Sequence, residues 1–214
     1  MRKICIAIHS RANYGRIKTV MREISNHPSL ELQLIVGSSA LLTRFGSAID
    51  NIRADGFKEQ AIVSSIIEGE SPVTMAKSTG LAIIELATHF ENLKPDIVLT
   101  VADRFETLAT AVDSSYMNIP LAHTQGGEVT GSIDESVRHA ITKLSNLHFT
   151  RSASFEATKS RTQLFQLLKA KMSGMAGEAP NLHLEQLTSE RFQSAVGDLL
   201  SAIKISRPIR SLLR

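Results

Sequence analysis

Residues 94–123 read KPDIVLTVADRFETLATAVDSSYMNIPLAH. Pro95 stops a preceding helix, because proline lacks the N–H that a helix interior needs. Asp96–Val101 is then a β-branched run of strand length. A polar segment, Ala102–Glu106, separates it from Thr107–Met117, which is helical in pattern, and Ile119–His123 is a second short apolar run. A strand, a helix and a strand in this order predict a right-handed crossover and a parallel sheet.

The same alternation extends outward. Ile4–Ile8 reads as a buried strand, Arg11–Gly15 as a loop, and Ile17–Asn26 as a helix with Ile17, Val20, Met21 and Ile24 on one face. Leu30–Gly37 reads as a strand, residues 41–55 and 71–93 as helical. Ser132–Leu147 contains a further helix, and His148–Thr150 opens a last strand. The predicted class is α/β: a Rossmann-like parallel sheet with flanking helices. From about Ser154 the pattern changes. Residues 154–214 hold no clear strand and read as a divergent, mainly helical or disordered tail after a domain of residues 1–153. Lys204–Arg214 carries four positive charges and no acid, as a solvated end or a binding patch would.

Composition narrows the classes. The chain has 214 residues, 43% of them hydrophobic, enough for a core. A net charge of +3 permits an anionic ligand without calling for nucleic acid, and with no Trp there is little to stack on bases. No apolar run approaches the ~20 residues of a membrane span, and Met1–Ser10 does not read as a signal peptide. The expectation is a cytoplasmic protein that binds neither nucleic acid nor membrane. The single cysteine, Cys5, reads as a buried strand thiol.

In open α/β sheets ligands bind beyond the carboxyl ends of the strands. That rule selects Ser10–Arg16, Ala102–Glu106 and His123–Gly131 as site loops. Asp103, beside Arg104, reads either as a helix N-cap or as a carboxylate that can act as a base. Gly126 and Gly127 allow close approach of a ligand to the backbone. Asp134 and Glu135 read either as acids opening a helix or, with Glu128, as part of an acidic cluster flanked by His123 and His139. His139 reads as a structural helix histidine or as part of that cluster. No HExxH or cysteine pattern supports a metal, and GxGxxG, GxxxxGK[ST] and GxSxG are absent.

Four segments resemble the hydrolysing UDP-N-acetylglucosamine 2-epimerases of sialic acid and related nonulosonic acid pathways. They are Ser10–Arg16, Lys94–Glu106, Ile119–His123 with Gly126–Gly131, and Ile133–Leu144. The resemblance covers residues 1–153. It implies one half of a GT-B architecture, two Rossmann-like domains facing a cleft. It implies loss of UDP from UDP-N-acetylglucosamine by elimination across C1 and C2, then addition of water to give N-acetylmannosamine, with no cofactor. Bacillosamine-type UDP-sugar epimerases share the motifs, and a non-catalytic binding module on the same fold is a further reading. By resemblance Asp103, Asp134 and Glu128 are the catalytic acids. Arg11, Tyr14, Arg104, His123, Gln125, Gly126, Gly127, Arg138 and His139 line the substrate site. Two positions depart: Ala102 replaces the usual glycine before the acid, and Gln125 stands where many members carry Glu or His. Residues 154–214 do not resemble the family's second domain, so a truncated enzyme is expected. Apolar surface left where that domain would dock makes a homo-oligomer expected.

Overall fold

The computed structural model of the chain describes residues 1–69, 71–126, 131 and 133–150, and for Thr150 the backbone alone. The chain divides into two compact units, residues 1–148 and 149–214. The tail read as helical, and Gly127 and Glu128, lie outside the described residues.

The elements run β1 (Arg2–Ile8), α1 (Arg11–Asn26), β2 (Leu30–Gly37), α2 (Ala48–Ala54), β3 (Ala61–Val63), α3 (Pro72–Leu93), β4 (Ile97–Val101), α4 (Phe105–Tyr116), β5 (Leu121–Gly126), α5 (Ile133–Leu144) and β6 (Leu147–Thr150). The sheet order is β3-β2-β1-β4-β5-β6. β1 pairs in parallel with β2 and β4, β2 with β3, and β4 with β5. This is the doubly wound order in which the chain reverses direction between β1 and β4. The central strands are covered on both faces, so β4 is buried throughout and β2 from Gln33 onward. Phe90, Leu86 and Ala82 of α3, with Ala109 and Ala111 of α4, close over Cys5, Ile35, Val98 and Leu121.

Two predicted boundaries are corrected and one strand is added. Arg11–Gly15 is not a loop but the start of α1, because Ser10 caps it: its side-chain oxygen accepts from the Asn13 N–H at 3.2 Å. The helical stretch over residues 41–55 is two 3-10 turns, Ser38–Leu41 and Thr43–Phe45, followed by α2. Gly46 at φ +84° and Ser47 at φ +40° break it. β3 has only three residues, too few for a sequence pattern, and pairs at the edge with Ile35–Gly37.

The reversal point is fastened by one side chain. Asn13 accepts from the His9 N–H at 3.2 Å and donates through Nδ2 to the Val101 carbonyl at 3.1 Å. It is buried, and it joins the ends of β1 and β4. Asn13→Ala leaves the His9 N–H buried without this partner and the Val101 carbonyl with only the long 3.4 Å bond from Thr107 Oγ1, at about 1 to 3 kcal/mol for a lost partner. Chemical denaturation is expected to show a loss of about 2 to 4 kcal/mol; a loss below 0.5 kcal/mol would mean that water replaces the amide.

Candidate active site at the carboxyl edge of the sheet

Asp103 follows β4 directly. It does not cap α4: the N-cap is Arg104, and no side chain caps that helix. The Asp103 carboxylate instead accepts from Arg138 of α5, with Nε at 2.7 Å and Nη2 closer still. Arg138 is buried, so the pair is shielded from the solvent that weakens surface ion pairs. Asp134 lies one turn earlier on α5 and is exposed. Residues four apart share a helix face, so α5 presents Asp134 and Arg138 toward one region. Consistent with that, the Asp134 charge reaches Glu106 of α4. Burial pushes Glu106 above the usual carboxylate range, Arg104 opposes this, and Asp134 adds to the push. Arg104 Nε donates to Glu106 at 3.2 Å.

His123 supports this arrangement from below. It is fully buried in β5, and its Nε2 lies 2.8 Å from the Ala102 carbonyl. A carbonyl only accepts, so Nε2 carries the proton; Nδ1 lies 3.4 Å from Thr142 Oγ1, whose own proton goes to the Arg138 carbonyl. Burial pushes His123 down to about 4. Gly126 packs tightly beside it: a Cβ there would stand 3.1 Å from both His123 Nδ1 and Thr142 Oγ1, which would have to give by a few tenths of an ångström.

The backbone stores strain at the same edge. The chain leaves β2 at Ser38 (φ +55°) and β4 at Ala102 (φ +65°), and the penultimate residue of β5, Gln125, has φ +63°, all left-handed and none of them glycine. Such conformations cluster at functional sites, where they aim neighbouring side chains. For Ala102 the aim is double: its left-handed turn presents its carbonyl to His123 and turns Asp103 toward Arg138. This is the position where the resemblance expects glycine.

The other expected site residues fall into separate groups. Arg11 opens α1, is exposed and lies beside Gly46. Gln125 accepts from Arg16 Nη1 at 2.7 Å. His139 pairs with Glu135 at 3.7 Å on α5. Tyr14 is buried; its hydroxyl donates to Asp55 at 2.5 Å and its ring packs edge-on against Phe57. The structure therefore joins Asp103, Arg138, His123 and Gly126 in one group and brings Asp134 and Arg104 to Glu106, while Tyr14 is committed to α2.

Two residues without a role in the sequence reading are Asn13 and His9. His9 is buried at the end of β1, with Nε2 2.9 Å from Thr110 Oγ1 and Nδ1 3.5 Å from Ser38 Oγ. Burial, and then Arg104, hold it down at about 4. No local signal announced Asn13, since a capping box takes Glu or Gln at that position and the Val101 carbonyl is 88 residues away.

The fold is one half of the GT-B type, a Rossmann-like parallel sheet with flanking helices. The chain is similar to UDP-N-acetylglucosamine 2-epimerase from Neisseria meningitidis, solved with UDP-N-acetylglucosamine bound. The TM-score is 0.66 at 17% identity, over 96% of this chain and 51% of that one. The enzyme of that name from Rickettsia bellii gives a TM-score of 0.63 at 20% identity, over 94% and 51%. The pattern of the UDP-N-acetylglucosamine 2-epimerase family matches residues 22–169, and the chain belongs to that family. It is 35% identical over 161 residues to the hydrolysing UDP-N,N'-diacetylbacillosamine 2-epimerase of Legionella pneumophila, covering 75% of this chain and 42% of that protein. It is 38% identical over 149 residues to the GDP/UDP-N,N'-diacetylbacillosamine 2-epimerase of Campylobacter jejuni, covering 69% and 38%. With the UDP-N-acetylglucosamine 2-epimerase of Neisseria meningitidis the identity is 32% over 148 residues, covering 69% and 38%. The chain thus spans about two fifths of the length of these relatives. No helix among the described residues is long and apolar enough to cross a membrane.

Two outcomes follow. Ala102→Gly removes a left-handed alanine, costing about 1 to 2 kcal/mol, against the entropy of a glycine at about 0.5 to 1. A thermal midpoint about 2 °C higher is expected by calorimetry; an unchanged or lower midpoint would show that the turn is unstrained. His123 should keep its neutral Nε2–H form in ring-nitrogen NMR down to about pH 5, and a midpoint near 6.5 would show a solvated ring. The unfolded chain takes up this proton near 6.5 and the folded chain near 4. Stability from neutral burial of His123 is therefore present above pH 6.5 and is lost as pH falls toward 4. Asp113, pushed up to about 7 by burial, acts in the opposite direction over that range.

Proposed function

We propose that the chain supplies the proton-handling half of a hydrolysing UDP-sugar 2-epimerase, with UDP-N-acetylglucosamine as substrate. The carrying observation is a carboxylate at the end of β4, Asp103, fixed by the buried Arg138. In this reading Asp103 takes the proton from C2 of the sugar. The electron pair of that C–H bond forms the C1=C2 bond as the C1–O bond breaks, and UDP leaves with the bonding pair. Arg11 and Arg104 offset the charge gathering on the diphosphate. Water then adds its oxygen to C1, and C2 regains a proton from the opposite side, giving N-acetylmannosamine. Gln125 cannot exchange a proton, so the second transfer falls to Asp134 or Glu128. The reaction needs no cofactor. A cytoplasmic homo-oligomer serving sialic or related nonulosonic acid synthesis fits this reading.

A second substrate has specific support. The two diacetylbacillosamine epimerases are 35% and 38% identical to this chain, against 32% for the N-acetylglucosamine enzyme. UDP-N,N'-diacetylbacillosamine would undergo the same elimination at C2, with different groups at C4 and C6.

Each UDP-sugar, tritiated at C2, is the test substrate, with tritium release to water and free UDP as readouts. Asp103→Asn is expected to lower tritium release by roughly 10²- to 10⁴-fold while leaving the thermal midpoint within a few degrees, and Asp134→Asn should also suppress turnover. Near wild-type turnover by Asp103→Asn would remove it as the base. Wild-type chain that releases neither tritium nor UDP when joined to the second domain of a relative would overturn the enzymatic reading.

A further inference from the structure

Glu106 is an acid that neither the elimination chemistry nor the packing of the core accounts for. It stands in the first turn of α4 and is fully enclosed. One carboxylate oxygen, Oε2, accepts from Arg104 Nε at 3.2 Å. The other, Oε1, is buried with no hydrogen-bond partner among the described residues. The one bond is also longer than the roughly 2.7 to 2.9 Å of a strong charge-assisted contact.

The groups packed around Glu106 leave Arg104 as its single compensating charge among the described residues. From α5, Asp134 adds a like charge. From the end of β1, His9 feels the Arg104 charge but is held neutral by burial, at about 4. The side chains that α3 buries are Ser78, Ala82, Leu86 and Phe90, none of them charged. Asp103, in the preceding turn, is itself neutralised by Arg138.

Arg104 spans inside and outside. Its side chain is 48% exposed, its guanidinium lies 5.7 Å over the Phe105 ring, and its Nε is what reaches Glu106. A diphosphate carries more charge than one carboxylate and competes for the guanidinium. Glu106 cannot follow, because it is enclosed. A carboxylate left alone in the interior is costly, and such a group neutralises instead of staying charged and unpaired. Burial already pushes Glu106 above the usual carboxylate range against the pull of Arg104, so loss of Arg104 moves it further the same way.

We infer that Glu106 is a positioning residue that acts through Arg104: as a carboxylate it holds the guanidinium inward, and it takes up a proton when the guanidinium turns to the diphosphate of a UDP-sugar. This rests on the UDP-sugar reading given above. The proton comes from solvent, forms an O–H bond on the carboxyl and returns to solvent when UDP leaves, so nothing is consumed over a cycle. Uptake on binding means that the diphosphate binds more tightly as pH falls through the range in which Glu106 titrates.

Carbon-13 NMR of the 214-residue chain labelled at the glutamate Cδ follows this carboxyl directly, with sodium pyrophosphate as the anion. Glu106→Gln assigns the signal by its loss; should that variant not fold, Glu106→Asp does the same. Saturating pyrophosphate should raise the Glu106 titration midpoint by about one pH unit or more, as expected for loss of a cationic partner. The signal of Glu59, which pairs with Arg53, should stay in place. Arg104→Gln should raise the Glu106 midpoint by itself and abolish the response to pyrophosphate. A Glu106 midpoint that pyrophosphate leaves unmoved, or one that moves equally in Arg104→Gln, would overturn the inference, as would a chain in which no signal responds. The UDP-sugar reading is judged separately, by tritium release.

Discussion

The ion pair between Asp103 and Arg138 is the constraint on which the carboxyl edge depends. A buried arginine must find a partner, because an uncompensated charge in the interior costs several kcal/mol. Arg138 belongs to α5 and Asp103 to the turn after β4, so that requirement fixes the helix against the strand. The pairing is kept in register by neighbours that are themselves satisfied. Thr142 donates to the Arg138 carbonyl at 2.8 Å and faces the His123 ring, which in turn holds the Ala102 carbonyl. Each link is local, yet together they connect α5, β5 and β4 without an exposed element.

The layout of charge at this edge has a simple logic. Carboxylates that must stay in place are tied to arginines, while cations that face the opening are tied to neutral groups or to none among the described residues. Glu106 shows the cost of the arrangement. It is buried beside Arg104, its Oε1 has no hydrogen-bond partner among the described residues, and Asp134 repels its charged form. A domain that concentrates acids and bases at one edge accumulates such unfavourable contacts, and left-handed Ser38, Ala102 and Gln125 are their backbone equivalent.

Most of the architecture was legible in the sequence because parallel strands buried on both faces write themselves as continuous apolar runs, as in Ile4–Ile8 and Ile97–Val101. Boundaries set by single side chains were less legible. Ser10 converts an apparent loop into a helical turn through one hydrogen bond, and Gly46 with Ser47 breaks an apparent helix. At the carboxyl edge, the family resemblance singled out Asp103, Asp134 and Arg138. It could not tell that Asp103 answers to Arg138 rather than to the amides of α4, because that choice depends on where α5 lies. Tyr14 was equally opaque: its hydroxyl meets Asp55, forty-one residues away, and no local pattern announces that contact.

Cys5 lies in β1 at the centre of the sheet, with no exposed surface and its thiol pushed up to about 12 by burial. Only a thiolate reacts readily with alkylating or disulfide reagents. The chain's single sulfhydryl is therefore silent while β1 stays sandwiched between β2 and β4. Its labelling rate reads the frequency with which the innermost strand opens to water, a clock for global opening that is insensitive to fraying of the site loops.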